Sequence, residues 1–130
     1  TLAPIFRAIG NDGFYVESGA FTGEQHSNTL VLEKRGWKGL LIEPAPNMLR
    51  KLKTKHRKAH LFEGALSPTG SREQVGFSGW SIEDRRWKKD KKKKVKDDAY
   101  KVVAEPLAPL LETLHQKTVD FWSLDIEGFE

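Results

Sequence analysis

The apolar residues of this chain fall into short runs separated by short helical stripes. Phe14-Tyr15-Val16 runs into Glu17, Gly39-Leu40-Leu41-Ile42 runs into Glu43, and Val119 to Leu124 runs into Asp125. Runs of this length, bounded by turn residues, read as buried strands of a parallel sheet. The pattern predicts strands at about Phe14–Glu17, Trp37–Glu43, Ala59–Leu66 and Val119–Asp125, with Asn11-Asp12-Gly13 as the turn before the first and residues 1 to 13 as a lead-in. Ser27 is placed to cap a helix over about Asn28–Arg35, which Gly36 stops. A second helix runs from Pro46 to about Lys55 with Met48, Leu49 and Leu52 as its buried stripe. Its outer side carries Arg50, Lys51, Lys53, Lys55, Arg57 and Lys58, read as a solvated basic face. Ser67-Pro68-Thr69-Gly70 is a turn cluster, and Val75 to Phe77 a weak extended segment. Val102-Val103 is a short apolar pair, and Leu110, Leu111 and Leu114 give a last helical stripe.

Strands alternating with helices imply an α/β fold with a doubly wound, mostly parallel sheet. Ligands of such sheets bind beyond the carboxyl ends of the strands. Glu17, Glu43 and Asp125 all stand at such ends.

The 130 residues, 38% hydrophobic and 31% charged, fit one soluble globular domain. No apolar run approaches the ~18 residues of a membrane span. The chain starts at Thr1 without a signal pattern, and we expect it to be a piece of something longer. Without cysteine, this piece has no disulfide, thiolate or cysteine-zinc chemistry. The net charge of +4 is local: Arg85 to Lys101 holds ten basic residues against three Asp, whereas the remainder is net acidic. The run Lys91-Lys92-Lys93-Lys94 is read as a solvated, flexible insertion over residues 81–98. The sharper reading is contact with an anionic membrane or nucleic acid, with Trp80 and Trp87 nearby. No specific nucleic-acid recognition is expected of the domain as a whole.

Chemistry concentrates at the first strand end. Glu17-Ser18-Gly19-Ala20-Phe21-Thr22-Gly23 has the spacing acid-x-Gly-x-x-x-Gly, and Glu43 follows Gly19 by 24 positions. That is close to the ~20 residues between a nucleotide-binding glycine turn and its ribose-binding acid. A dinucleotide turn needs glycine at its middle position, where Phe21 would crowd a pyrophosphate. S-adenosylmethionine has no phosphates, and its methionine end is a zwitterion suited to an acid and backbone donors. The alternative is a glycine turn made only for packing. Glu43 can accept both ribose hydroxyls, or merely cap the helix near Pro46. Asp125, Glu127 and Glu130 could hold a metal, orient a substrate or act as a base, or be ordinary loop acids. His26, just past the turn, is the one histidine placed to face a pocket; His56, His60 and His115 show no ligand spacing.

Two ordered blocks resemble the FkbM-type methyltransferase domain. The first is Phe14-Tyr15-Val16-Glu17-Ser18-Gly19-Ala20, Gly23, Ser27-Asn28-Thr29, Leu32-Glu33 and Gly36-Trp37-Lys38-Gly39-Leu40-Leu41-Ile42-Glu43-Pro44. The second runs from Val119 to Glu130, and residues 71 to 101 match poorly. Within the family the first block is most similar to the animal Star-like branch. The resemblance implies the N-terminal part of a Rossmann-like class I methyltransferase sheet, with four core strands and the fourth at an edge. Residues 14–67 would be the cofactor-binding βαβαβ unit and 102–130 the helix and fourth-strand motif. Glu17, Gly19, Ala20 and Gly23 would form the methionine-end turn for S-adenosyl-L-methionine, Glu43 the ribose site, and Ala65 and Leu66 a wall against the adenine. Asp125 or Glu127 would be the base for O-methyl transfer to a hydroxyl of a small molecule or glycan, and no resident metal is implied. The Star-like branch instead implies a non-catalytic trafficking factor in endoplasmic reticulum, Golgi or endosomal membranes, with a membrane-protein cargo. Otherwise a cytoplasmic location is expected. The fragment alone is expected to be inactive.

Overall fold

In a computed structural model, residues 2–78, 81–82 and 100–126 are described. Helix α1 (Ala3–Ile9) precedes β1 (Phe14–Ser18), α2 (Leu30–Lys34), β2 (Lys38–Ile42), α3 (Pro46–Lys53) and β3 (His60–Phe62). Strands β4 (Ala65–Leu66), β5 (Glu73–Ser78), β6 (Ser81–Ile82) and β7 (Tyr100–Glu105) follow, then α4 (Leu107–Thr113) and β8 (Phe121–Leu124).

The strands β3-β2-β1-β8 form a four-stranded sheet in that order, every pair parallel. The expected Rossmann-like, doubly wound half-sheet is therefore present. Register runs Glu17↔Leu41 and Glu17↔Ser123, so the carboxyl ends of β1, β2 and β8 lie side by side. Alternation along β1 feeds two cores. Tyr15 packs with Leu32, Trp37, Leu41, Leu49 and Leu52 on the side of α2 and α3. Phe14 and Val16 pack with Leu40 and Ile42 on the other face, where Leu107, Leu110, Leu111 and Leu114 cover them. Each such buried side chain contributes about 1.5–3 kcal/mol, which is why continuous apolar runs make central strands. Met48, Leu49 and Leu52 form the buried stripe of α3 as expected.

Four expectations need correction. The lead-in contains α1, too short and too weakly amphipathic to announce itself; Phe6 stacks edge-on against Trp37 and Phe121, and Trp37 Nε1 donates to the Gly10 carbonyl at 2.7 Å. The single third strand expected over Ala59–Leu66 is broken: β3 belongs to the parallel sheet, whereas β4 starts a second one. Gly64 sits at the break, where a Cβ would strike the Val103 carbonyl and the Phe62 ring. The extended segment expected at Val75 to Phe77 is present as β5, but the second sheet it belongs to was not expected: it pairs with β7, which contains the apolar pair Val102-Val103, in the order β4-β7-β5-β6. Its core of Val75, Phe77, Ala65 and Ala104 packs on Ala45, Met48 and Phe21, beside the carboxyl ends of β1 and β2. The fourth correction concerns Arg57, which is not on a solvated face but 96% buried at its side chain, 4% remaining exposed.

Candidate functional site

Strand β1 leads into a turn in which Gly19, Phe21, Gly23 and His26 all have positive φ, at 80°, 51°, 78° and 61°. Gly19 and Ala20 donate their amides to the Ile42 carbonyl, tying the turn to the end of β2. Both glycines are also demanded by packing. A Cβ on Gly19 would strike the Asp125 carbonyl, and one on Gly23 would strike the Leu52 side chain. Phe21 turns its side chain toward the core of the second sheet and its ring lies edge-on to His26, centroids 6.3 Å apart. His26 itself is exposed.

Glu17 is 3% exposed, and both its oxygens are taken. Oε1 accepts the Asn28 amide at 2.7 Å; Oε2 accepts the hydroxyls of Ser27 at 2.9 Å and Thr29 at 2.7 Å. The acid thus closes the chain that leads into α2. Ser27 Oγ accepts the Leu30 amide at 3.2 Å, but it is not the N-cap of a helix over Asn28–Arg35 as expected: α2 starts only at Leu30 with Thr29 at its N-cap position, because Asn28 and Thr29 are drawn onto Glu17.

Glu43 is 5% exposed and held only by backbone. Oε2 accepts the Phe21 amide at 2.7 Å and Oε1 the Ala45 amide at 2.8 Å. Among the described residues it has no ion pair. Burial, only partly offset by the two amides, raises its proton affinity above the ordinary carboxylate value. Each oxygen keeps a lone pair beyond the one its amide uses, so two more donors can be accepted side by side. The buried acid therefore joins the glycine turn to the β2 end while retaining acceptor capacity.

Asp125 is exposed one residue past β8, and its amide donates to the Ser18 carbonyl at 3.1 Å. Its main chain stands beside the glycine turn, with its carbonyl against Gly19. Ala65 is buried in the second-sheet core, and Leu66 packs toward the α4 side. The segment in direct backbone contact with Glu43 is the end of β3, where the Glu43 amide donates to the Phe62 carbonyl at 3.2 Å. Glu127 and Glu130 lie outside the described residues, as do the Lys-rich run, Trp80 and Trp87.

Beneath the turn lies a buried polar cluster centred on Arg57. Its Nε donates to Glu33 at 2.9 Å, and its terminal nitrogens donate to the Gly23 carbonyl, Ser27 Oγ, Tyr15 Oη and Thr29 Oγ1. Glu17 lies 4.0 Å from the guanidinium. Burial opposes ionisation of Glu33, but the Tyr15 hydroxyl, the Lys58 amide and Arg57 together hold its carboxyl below the usual range. Burial first, and the Glu33 carboxylate second, push the Tyr15 hydroxyl well above its ordinary value. The sequence offered no periodic signal for Arg57, which follows α3 in a run of basic residues. A buried arginine needs several acceptors from distant segments, and these are visible only after folding.

Among the described residues no group of three His, Asp or Glu side chains is arranged to hold a metal ion, and no helix is long and apolar enough to cross a membrane. Comparison with curated proteins and with solved structures gave no significant match. The sequence pattern of the methyltransferase FkbM domain matches residues 17–130, from the acid that ends β1 to the last residue. Spanning most of the chain and both strand-end acids on either side of the glycine turn, that match shows that the chain belongs to the FkbM methyltransferase domain family.

Proposed function

We propose that the chain binds S-adenosyl-L-methionine at the rim formed by the glycine turn and Glu43, and serves methyl transfer to a hydroxyl of a small molecule or glycan. The observation that carries the reading is Glu43: a buried carboxylate at a strand end, fixed by the Phe21 and Ala45 amides and still able to accept two hydroxyls. A nucleoside ribose presents two adjacent hydroxyls of that kind. Membership of a methyltransferase family supports the same cofactor. At the methionine end the oxygens of Glu17 are occupied by Ser27, Asn28 and Thr29, and the amides of Gly19, Ala20 and Gly23 are spent on the Ile42 and Ala20 carbonyls, so what the turn offers that end is main-chain carbonyl, a partner for the ammonium. Phe62 to Gly64, beside the Glu43 amide, is a better candidate adenine wall than the side chains of Ala65 and Leu66.

When bound, the cofactor supplies a methyl group already activated on a sulfonium. What remains for the protein is to hold an acceptor oxygen in line and take its proton. Asp125, exposed at the rim, is suited to accept that proton, and Glu127 is the second candidate from the sequence.

Titration calorimetry of the intact protein with S-adenosyl-L-methionine tests the reading. Binding is expected in the wild type, and Glu43→Ala should weaken it about 100-fold by removing two hydrogen bonds to a charged acceptor. No binding to the intact wild-type protein would overturn it. Binding without methylation of hydroxyl acceptors would leave the cofactor reading standing and replace catalysis by a scaffold role, such as the Star-like trafficking of a membrane-protein cargo.

A further inference from the structure

Four of the eight residues from Gly19 to His26 have positive φ, and two of them, Phe21 and His26, carry side chains that disfavour it. Hydrogen bonds inside the turn include the Gly23 amide to the Ala20 carbonyl, the Ser27 amide to the Glu24 carbonyl, and the Gln25 amide to Thr22 Oγ1. Such a turn needs a hold from outside. Arg57 supplies one at two points, the Gly23 carbonyl in the middle and Ser27 Oγ at the end. The guanidinium is itself fixed by Glu33, Tyr15 and Thr29, from β1 and the α2 region. Its planar fork lets one side chain satisfy all five acceptors, which an ammonium group cannot do.

We propose that Arg57 is a positioning residue for the cofactor's methionine end, clamping the Gly19–Ser27 turn from beneath so that its backbone is set before the ligand arrives. This rests on the cofactor reading above. Arg57 lies on the Glu17 side of the sheet and reaches Glu43 only through the turn, whose Phe21 amide donates to that acid, so its effect falls mainly on the methionine end of the ligand. Adenosine, which lacks the methionine tail, engages the Glu43 end alone. The clamp therefore predicts a split between two ligands that share a nucleoside.

The experiment compares affinities of the intact protein for S-adenosyl-L-methionine and for adenosine, with folding checked by circular dichroism. Arg57→Lys should weaken S-adenosyl-L-methionine about 20-fold while adenosine stays within about threefold. Tyr15→Phe removes one partner of the guanidinium without removing charge or ring, and should give a smaller split in the same direction. In Arg57→Ala, guanidinium ion below denaturing concentration should restore the tighter binding of S-adenosyl-L-methionine. If Arg57→Lys fails to fold, Tyr15→Phe carries the test. A folded variant that loses both ligands equally, or neither, overturns the clamp while leaving the cofactor reading intact. A wild-type protein that binds adenosine but not S-adenosyl-L-methionine, or binds neither, overturns the cofactor reading and the clamp with it.

Discussion

Glu17 and Glu43 end neighbouring strands, β1 and β2, and are almost equally buried at 3% and 5% exposure. Their surroundings differ in kind. Glu17 is wrapped by two hydroxyls and an amide, with Arg57 4.0 Å away. Glu43 has two amides, no ion pair among the described residues, and a raised proton affinity. The first arrangement consumes the carboxylate in building the turn. The second leaves a carboxylate under tension with its burial, a state that two ribose hydroxyls would relieve. An acid at a strand end is thus no guarantee of ligand contact; the number of donors already spent on it decides.

The sharpest way to break this comparison is to remove the cation behind Glu17. Arg57→Met strands Glu33 and leaves Glu17 without its neighbouring positive charge, and should lower unfolding free energy by about 3–5 kcal/mol in urea titration. Next, Glu17→Ala leaves buried donors unmatched and should cost about 2–3 kcal/mol of stability, whereas Glu43→Ala should cost less than half of that and act on cofactor affinity instead. Equal stability losses from the two would erase the distinction.

The pH dependence separates the pair of environments by sign. Glu33, whose folded value is lowered from 4.5, contributes stability that is present above about 4.5 and lost as pH falls through the folded value. Glu43, raised from 4.5, contributes stability present below that value and lost as pH rises through the folded one. Urea midpoints measured across the acidic range should therefore show the acid-side loss diminished in Glu33→Gln and the loss on raising pH diminished in Glu43→Gln. The smallest effect is at the surface. Lys53 and Glu63 pair at 2.6 Å but are about half exposed, and Lys53→Ala should change stability by less than about 1 kcal/mol in the same titration.

The parallel sheet was legible because each of its strands is a short apolar run, and β1 and β2 are buried on both faces. The stripe Met48, Leu49, Leu52 gave α3 for the same reason. The second sheet was not, because β5 and β7 alternate weakly and gain their order from pairing with each other across residues distant in the chain. β4 was hidden inside an apparently continuous strand, since the switch between sheets depends on a glycine approached by the backbone of β7. At the site, the positions of Glu17, Glu43 and Asp125 followed from strand ends, but their division of labour did not. Donor counts and the Arg57 cluster come from segments up to 42 residues apart, and no local pattern records them.

The way β8 meets the glycine turn carries a consequence for how such a domain changes over generations. The contacts that seat residue 125 are made by its own main chain, an amide on Ser18 and a carbonyl against Gly19. Any amino acid with an amide proton can make them. Among the described residues the carboxylate of Asp125 takes no part in those contacts, so under the proposed function its chemistry is separable from the fold. If Asp125 is the base proposed above, a lineage that stopped methylating could lose the acid while keeping the turn and the sheet, so the identity of residue 125 among descendants would trace activity apart from fold.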